Sequence, residues 1–590
     1  MNRTSNTLLK GPSNPKLFAC NLQRQSDLPR NKLYKRHYKY VHLLIICANK
    51  PQLKAIPKLK HLSYLHLTYW RHPPKLSFFK KLIKPFKKSL RNVEGDYRYP
   101  ALQKLLPGLT HLQVALKQSS WRLLTHRSAF RELAFNLESP SDVPQEKHQS
   151  RIQSLLRRYK SSLNHTLPKM KDLRSLNLKV SNINSEFLLF ILEVLFERMP
   201  LESVKFFHLH LEFGNCSPFA INPRKVGRVL QAITNLKTNQ AEEFSSFSIG
   251  EFKNLSDLEM SFSCPGKCLN VSNLLCFKNL LKLRRLNLST DWGRAFFETF
   301  SLSETLDELT LKLSNFTCQT APETNDNSQT GPEIFENDPV YSRFFERLQD
   351  CQSLKSLDLS ISGNCPGAYG KFASLFIQQF NKLERADYDH ETLGRTNETL
   401  FIPLDFQDFW KALESSKETL KDVSIGSPEI IFPEKMNLLE TGFPRLQSLT
   451  VRGDMLWNPE FSVFCQEISS LDSILLVYRR YLDQKELRRF LFSWMFIPQK
   501  MEIYLFLYIE RIQQQDLADC LIEYIAEVNV KGILAIDLKN NQKQALEAFE
   551  EIFKLDQFKN RSLSISKDFG ASTILGVELT GRTSLSPSSS

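Results

Sequence analysis

The chain has 590 residues, 42% of them hydrophobic, enough apolar material for a large core. Its 11 cysteines are odd in number, scattered and never arranged as paired CxxC knuckles, so neither a disulfide framework nor a structural zinc site is indicated. The net charge of +15 is an N-terminal property: residues 1–93 hold 21 Lys and Arg against one acid, Asp27, and the remainder holds 57 basic and 62 acidic residues.

Residues 1–40 are polar and basic with few spaced apolar positions, which predicts a flexible arm. Basic residues are densest at LYKRHYKY, with Lys35, Arg36 and Lys39, and again at Lys80, Lys81, Lys84, Lys87, Lys88 and Arg91. Tyr34, Tyr38, Tyr40, Tyr69 and Trp70 interleave with them. Such a patch attracts nucleic acid, or another acidic or anionic surface, through counterion release and long-range steering. The plain alternative is a solvated, Lys-rich surface with no dedicated partner.

From Leu62 onward an apolar triplet, LxxLxL, returns along most of the chain. The clearest copies are Leu62/Leu65/Leu67, Leu173/Leu176/Leu178, Leu283/Leu286/Leu288, Leu306/Leu309/Leu311 and Leu354/Leu357/Leu359. Softer ones are Leu255/Leu258/Met260, Leu420/Val423/Ile425 and Leu446/Leu449/Val451. The last two apolar positions are two apart, so a strand turns both to one face and shows the intervening residue on the other. Burying three side chains cannot offset the ordering of a whole copy, so neighbouring copies must stack and bury their leucines against one another. Spacings agree: 28 residues from Leu173 to Leu201, 28 from Leu255 to Leu283, 23 from Leu283 to Leu306, 29 from Leu354 to Leu383 and 26 from Leu420 to Leu446. The copies are faintest across residues 90–170.

Segments between the strands read as helices. SEFLLFILEVLFERM (Ser185 to Met199), SRFFERLQD (Ser342 to Asp350), FASLFIQQFNKL (Phe372 to Leu383) and FQDFWKALESSK (Phe406 to Lys417) carry apolar residues at helical spacing. With 43 Phe in the chain, aromatic rings are expected to fill the gap between sheet and helices. SPSDVPQEKHQS (Ser139 to Ser150) and the acidic stretch 318–339 read as loops. Beyond Met501 come final strands, helix candidates at QQQDLADCLIEYIAEV and QKQALEAFEEIFKL, and a flexible tail ending SLSPSSS. The longest apolar runs, FLLFILEVLF and IYLFLY, fall short of a bilayer span, and no opening stretch has the order of a signal peptide. A soluble, intracellular, chiefly cytoplasmic protein is therefore expected, with no transmembrane segment.

On these triplets the chain resembles the leucine-rich repeat family, whose pattern runs LxxLxLxxNxL, over about residues 55–540. Ser181, Ser263, Asp291, Ser314, Ser362 and Asp454 stand where that family has Asn, short polar residues able to bond turn backbone. The resemblance implies an α/β solenoid, a horseshoe or arc with a parallel concave sheet and outer helices, used mostly to bind other macromolecules. The expected layout is a basic arm over 1–40, the solenoid over 41–540 with the 318–339 insertion, a C-terminal cap over 541–575 and a disordered tail over 576–590.

Candidate chemistry is sparse. FHLHLEF places His208, His210 and Glu212 on one face of a strand, a trio able to hold a metal, yet an alternating strand shows polar residues to solvent in any case. DYDHE (Asp387 to Glu391) and the pair Cys264/Cys268 are weaker. No phosphate-cradling glycine loop or nucleophile elbow is present in the sequence, so a non-enzymatic chain without cofactor or metal is expected. The expected function is a protein-interaction scaffold. Its candidate contacts are the polar strand positions Tyr64, His66, Arg174, Asn177, His208, His210, Asp257, Glu259, Arg285, Asn287, Glu308, Thr310, Ser356, Asp358 and Thr450. The alternative is nucleic-acid or anionic-surface binding through residues 1–93.

Overall fold

The computed structural model describes residues 171–181, 201–212, 223–239, 249–262, 275–316, 338–391, 404–432, 442–482, 484–494 and 501–509 apart from short gaps, and elsewhere isolated strands and a few single residues. The chain forms two compact units, Met1–Leu274 and Leu275–Ser590. Each is built on a largely parallel sheet.

In the first unit the strands are β1 (Phe18–Leu22), β2 (Val41–Cys47), β3 (Tyr64–Thr68), β4 (Asn92–Gly95), β5 (His111–Leu116), β6 (Glu132–Glu138), β7 (Ser175–Ser181), β8 (Phe206–Glu212), β9 (Asn235–Thr238) and β10 (Asp257–Ser261). Each pairs in parallel with the next. Helix α1 (Pro223–Ala232) joins β8 to β9. The faint stretch 90–170 therefore contributes β4, β5 and β6 to the same ladder. β1 lies inside the segment expected to be a flexible arm, and its residues FACNL, apolar but for Asn21, pair with β2.

The second unit holds β11 (Arg285–Asp291), β12 (Glu308–Phe316), β13 (Ser356–Gly363), β14 (Arg385–Glu391), the two-residue β15 (Leu404–Asp405), β16 (Asp422–Ile431), β17 (Ser448–Met455), β18 (Ser473–Tyr481), β19 (Glu502–Ile509), β20 (Lys531–Leu538), β21 (Leu563–Ser566) and β22 (Thr573–Leu579). β11 to β14 and β16 to β20 pair in parallel in chain order, with β14 directly beside β16 and β15 against the far end of β16. β22 then runs antiparallel to β20, with β21 antiparallel to β22. The tail expected to be disordered from 576 thus supplies the end of β22.

Helices return the chain: α2 (Arg294–Thr299), α3 (Pro339–Leu348), α4 (Pro366–Ile377), α5 (Phe406–Ala412), α6 (Pro459–Glu467) and α7 (Gln484–Ser493). α3 starts before the expected Ser342 because Asp338 accepts the Val340 N–H at 2.8 Å and Pro339 occupies the first turn. α4 starts at Pro366 rather than Phe372 for the same proline preference, and it ends at Ile377, leaving Phe380 and Leu383 to the turn before β14. α5 is capped by Asp405, which accepts from Gln407 and Asp408 N–H, and passes into a 3-10 turn, Leu413–Ser416. The expected helices at 185–199 and 542–555, and most of the 318–339 loop, lie outside the described residues. None of the described helices is long and apolar enough to cross a membrane.

The triplets do what their spacing requires. Leu286, Leu309, Leu357, Ala386, Val423, Leu449, Ile474 and Ile503 are register partners across successive strands, and all are buried. Leu288, Leu311, Leu359, Tyr388, Ile425, Val451, Leu476 and Leu505 form a second buried row two residues on. Above them lies an aromatic layer in which Phe344 of α3 meets Phe296, Phe297 and Phe300 from the α2 segment and Phe372 and Phe376 of α4, with ring centroids 5.2–6.1 Å apart. A second cluster joins Phe406 and Trp410 of α5 to Phe461 and Phe464 of α6.

Backbone and hydroxyl bonds lock each copy to the one before. The Asp307 carbonyl accepts the Lys355 and Ser356 N–H, the Lys355 carbonyl accepts Glu384 and Arg385, and the Glu384 carbonyl accepts Lys421 and Asp422. The residue just before the first apolar position adds a hydroxyl bond to the corresponding carbonyl of the preceding copy: Thr305 to Leu283 at 3.0 Å, Ser353 to Leu306 at 2.7 Å and Thr419 to Leu383 at 2.8 Å. This ladder sits ahead of the strand. On the far side, where the resemblance placed Asn, Ser362 reaches Leu313 at only 3.5 Å.

Two alignments shift. Lys205 N–H bonds the Arg174 carbonyl, so Val204 rather than Leu201 corresponds to Leu173, and Leu201 belongs to a 3-10 turn. β9, with Ile233 and Leu236 buried, is a further copy hidden from the triplet pattern because Thr238 takes its last position.

Candidate functional site

The non-core face of each sheet carries the candidate contacts. In the second unit Arg285, Glu308 and Ser356 are register partners in one row, and Asn287, Thr310 and Asp358 in another, which continues through Asp387, Ser424 and Thr450. Arg285 and Glu308 are exposed, and the other expected positions of these rows are half-buried. In the first unit Asn177, His208, Asn235 and Asp257 are partners, as are Lys179, His210, Lys237 and Glu259. Arg174 is exposed immediately before β7. Tyr64 and His66 lie on β3, opposite Asn92 and Glu94, their side chains outside the described residues. Lys84 is exposed; Lys35, Arg36, Lys39, Lys80, Lys81, Lys87, Lys88 and Arg91 lie outside the described residues.

The first unit's face is internally paired. Lys179 and His210 both contact Glu212, at 2.5 and 3.2 Å, Lys237 contacts Glu259 at 2.5 Å, and Asn235 donates to Asp257 at 2.7 Å. Partial burial holds both imidazoles below their ordinary range, opposed at His208 by Asp257 and reinforced at His210 by Lys179. Neutral His210 is thus a strut between two lysines and a glutamate. Among the described residues no group of three or more His, Cys, Asp or Glu is placed to hold a metal. Cys264 and Cys268 lie outside them.

The second unit's face is less self-satisfied. Arg452 of β17 reaches across β16 to Asp387, Nη2 to Oδ1 at 3.1 Å, and to Ser424 Oγ at 3.1 Å; Arg385 approaches the same carboxylate at 3.6 Å. Gly426 makes room for Asp389, since a Cβ there would stand 2.0 Å from Oδ1. Among the described residues Asp389 Oδ1 and Arg452 Nε are buried without a hydrogen-bond partner. Burial, with Asp387 beside it, pushes the Asp358 carboxyl up.

No protein-family model matches this chain, and no curated protein matches it.

Asp387, Asp389 and Arg385 were missed as contacts because RADYDHE puts Ala386 and Tyr388 where the triplet has leucines, which disguises the strand, and Arg452, on a recognised strand, was missed because its partner Asp387 lies two strands away. Also missed was a change of character along the sheet. From β18 onward several non-core positions become apolar: Leu475 and Val477 are half-buried, and Phe506 and Ile533 are 39% and 40% exposed, with Tyr504, its hydroxyl on Glu502, between Leu475 and Ile533. The alternation in SILLVYRRY and EIYLFLYI is masked by apolar residues on both faces, as in strands covered on two sides.

On the core side, His390 is 5% exposed beneath the edge of Tyr369, with ring centroids 5.0 Å apart, and burial pulls its imidazole down to about 4. That histidine is a neutral core residue.

Proposed function

We propose that this chain is a divergent leucine-rich-repeat solenoid, a horseshoe or arc with helices outside a concave parallel sheet, acting as a non-enzymatic scaffold that binds a protein partner on the concave face. The observation that carries this reading is the set of in-register polar rows. Alternate positions of β11 to β17 bury apolar side chains, while the positions between them put acids, bases and hydroxyls side by side on the other face. Such rows form a broad surface of mixed charge, suited to another protein. Buried thiols such as Cys351 and Cys465 suit a reducing cytoplasmic setting. Affinity purification of the full chain, repeated with Arg285→Glu, Glu308→Lys and Asp358→Lys, tests the reading. The reversals are expected to release a specific partner, and a partner set unchanged by all three would remove the face from consideration.

A second reading rests on the charge asymmetry. With 21 basic residues and one acid, residues 1–93 suit nucleic acid or an acidic surface. Retention of the full chain on immobilised heparin or RNA should fall steeply with salt and drop when Lys80, Lys81, Lys84, Lys87 and Lys88 are changed to Gln together. Retention insensitive to both counts against it.

A further inference from the structure

The apolar end of the second unit's open face lies beside its carboxylates, and the two features share register rows. Leu475 and Ile533 continue the row of Asp358, and Val477 and Phe506 continue the row of Asp389. Arg385 and Arg452 both approach Asp387, and among the described residues neither Asp358 nor Asp389 forms an ion pair. Among those residues Asp389 Oδ1 has no hydrogen-bond donor. Lys312, exposed on β12, is a neighbouring cation on the side away from the apolar residues, and Arg452, committed to Asp387, stands in the row of Asp389 on the side towards them.

We propose that this surface takes an extended peptide segment of a protein partner, with apolar or aromatic side chains on Leu475, Val477, Phe506 and Ile533 and a Lys or Arg over Asp358 and Asp389. The inference rests on the reading of this face as a binding surface and names what it would bind. The cation pairs with the half-buried carboxylates of Asp358 and Asp389, and the apolar side chains cover area that this fold leaves in water. Four apolar side chains are too few for a homodimer, whose stable interfaces engage about 20–30 residues on each side. A crossing segment is therefore the better fit than a second copy. Spacing follows from the ladder: β14 to β18 is three steps and β14 to β19 four, about 14–19 Å at about 4.8 Å per step. An extended chain advances about 3.3 Å per residue, so the basic residue stands about four to six positions from the apolar one.

The test is selection of random linear peptides on the intact protein, followed by affinity measurement of winners against three double variants: Phe506→Ser/Ile533→Ser, Asp358→Asn/Asp389→Asn, and, on exposed helix positions away from the sheet face, Lys411→Glu/Arg489→Glu. Expected winners carry Lys or Arg at that spacing from an aromatic or aliphatic residue. They should weaken about tenfold or more with the first pair, severalfold with the second, and little with the third. Winners indifferent to the first two pairs but lost with Arg285→Glu/Glu308→Lys would leave the face as a binding surface and overturn this segment, and winners lost only with the helix pair would overturn both. Winners indifferent to all three, or no winners, would overturn it as well. Self-association abolished by Phe506→Ser/Ile533→Ser would replace the peptide by a second copy, and carbodiimide cross-links from the chain's own basic residues 80–91 to Asp358 or Asp389 in the monomer would replace it by an internal occupant.

Discussion

Replacing Ser416 by Ala should loosen β14 more than its size suggests. Ser416 is fully buried, and its Oγ donates to the Phe380 carbonyl at 2.8 Å while accepting the Leu383 N–H at 3.1 Å. Phe380 O retains a second donor, Ser415 Oγ at 2.7 Å, so the carbonyl stays satisfied. The Leu383 N–H does not, and an orphaned buried amide costs about 1–3 kcal/mol. With little cavity left by one oxygen, the sum is about 2 kcal/mol, or roughly a 30-fold rise in the open population. Hydrogen exchange measured on peptides spanning Arg385–Glu391 reads that population directly. Ser415→Ala, which leaves Leu383 bonded, should change it little. If Ser416→Ala accelerates exchange less than about threefold, or no more than Ser415→Ala does, the Ser416 hydroxyl is not what ties the turn before β14 to the next copy.

Other outcomes follow from particular sites. Gly453 and Gly532 adopt φ of +155° and +151°, and a Cβ would stand 1.9 Å from the Ser427 carbonyl oxygen and 1.7 Å from that of Ile503. Ala at either position should cost about 3 kcal/mol or more, seen as loss of the second unit's cooperative thermal transition, and a wild-type transition would refute the backbone geometry. Phe344→Ala opens the centre of the aromatic layer and should cost about 3–5 kcal/mol in denaturant unfolding, against under about 1.5 for Phe344→Leu if the ring contacts contribute little. His390 titrates at about 4 when folded and at about 6.5 in the unfolded chain. The unfolded state binds the extra proton, so the stability tied to neutral His390 is whole above pH 6.5 and drains away as pH falls towards 4, by about 3 kcal/mol at most. Unfolding midpoints of His390→Gln should be flatter than wild type between pH 7 and 5; parallel curves would mean the imidazole reaches water.

The parallel strands were readable wherever leucine or isoleucine kept the triplet, because two side chains two apart settle which face is buried. β9 and β14 escaped for one reason: Thr238, Ala386 and Tyr388 are buried at positions where the pattern wants an aliphatic residue. Helix starts were misplaced where a proline and an aspartate, Pro339 and Asp338, act on the first turn ahead of the amphipathic run. The ladder residues Thr305, Ser353 and Thr419 stand in the sequence immediately before each first leucine. Their role was invisible because a hydroxyl next to an apolar run looks like any turn residue until its carbonyl partner, one copy away, is in place. The polar contacts were legible as strand positions. Their pairing was not, since Arg452 reaches Asp387 across an intervening strand, a relation that register alone reveals.

The reversal of direction at β22 has a consequence for solubility. A stack of same-direction strands ends in a row of open amides and carbonyls that would template another chain's strand, the route to fibrils. Here that row on β20 is taken by a strand running the other way, followed by the four-residue β21. β21, antiparallel to β22, runs in the same sense as β20, so another molecule arriving there meets a matching direction but a border only four residues long, and it is this shortness that discourages head-to-tail polymerisation at this end.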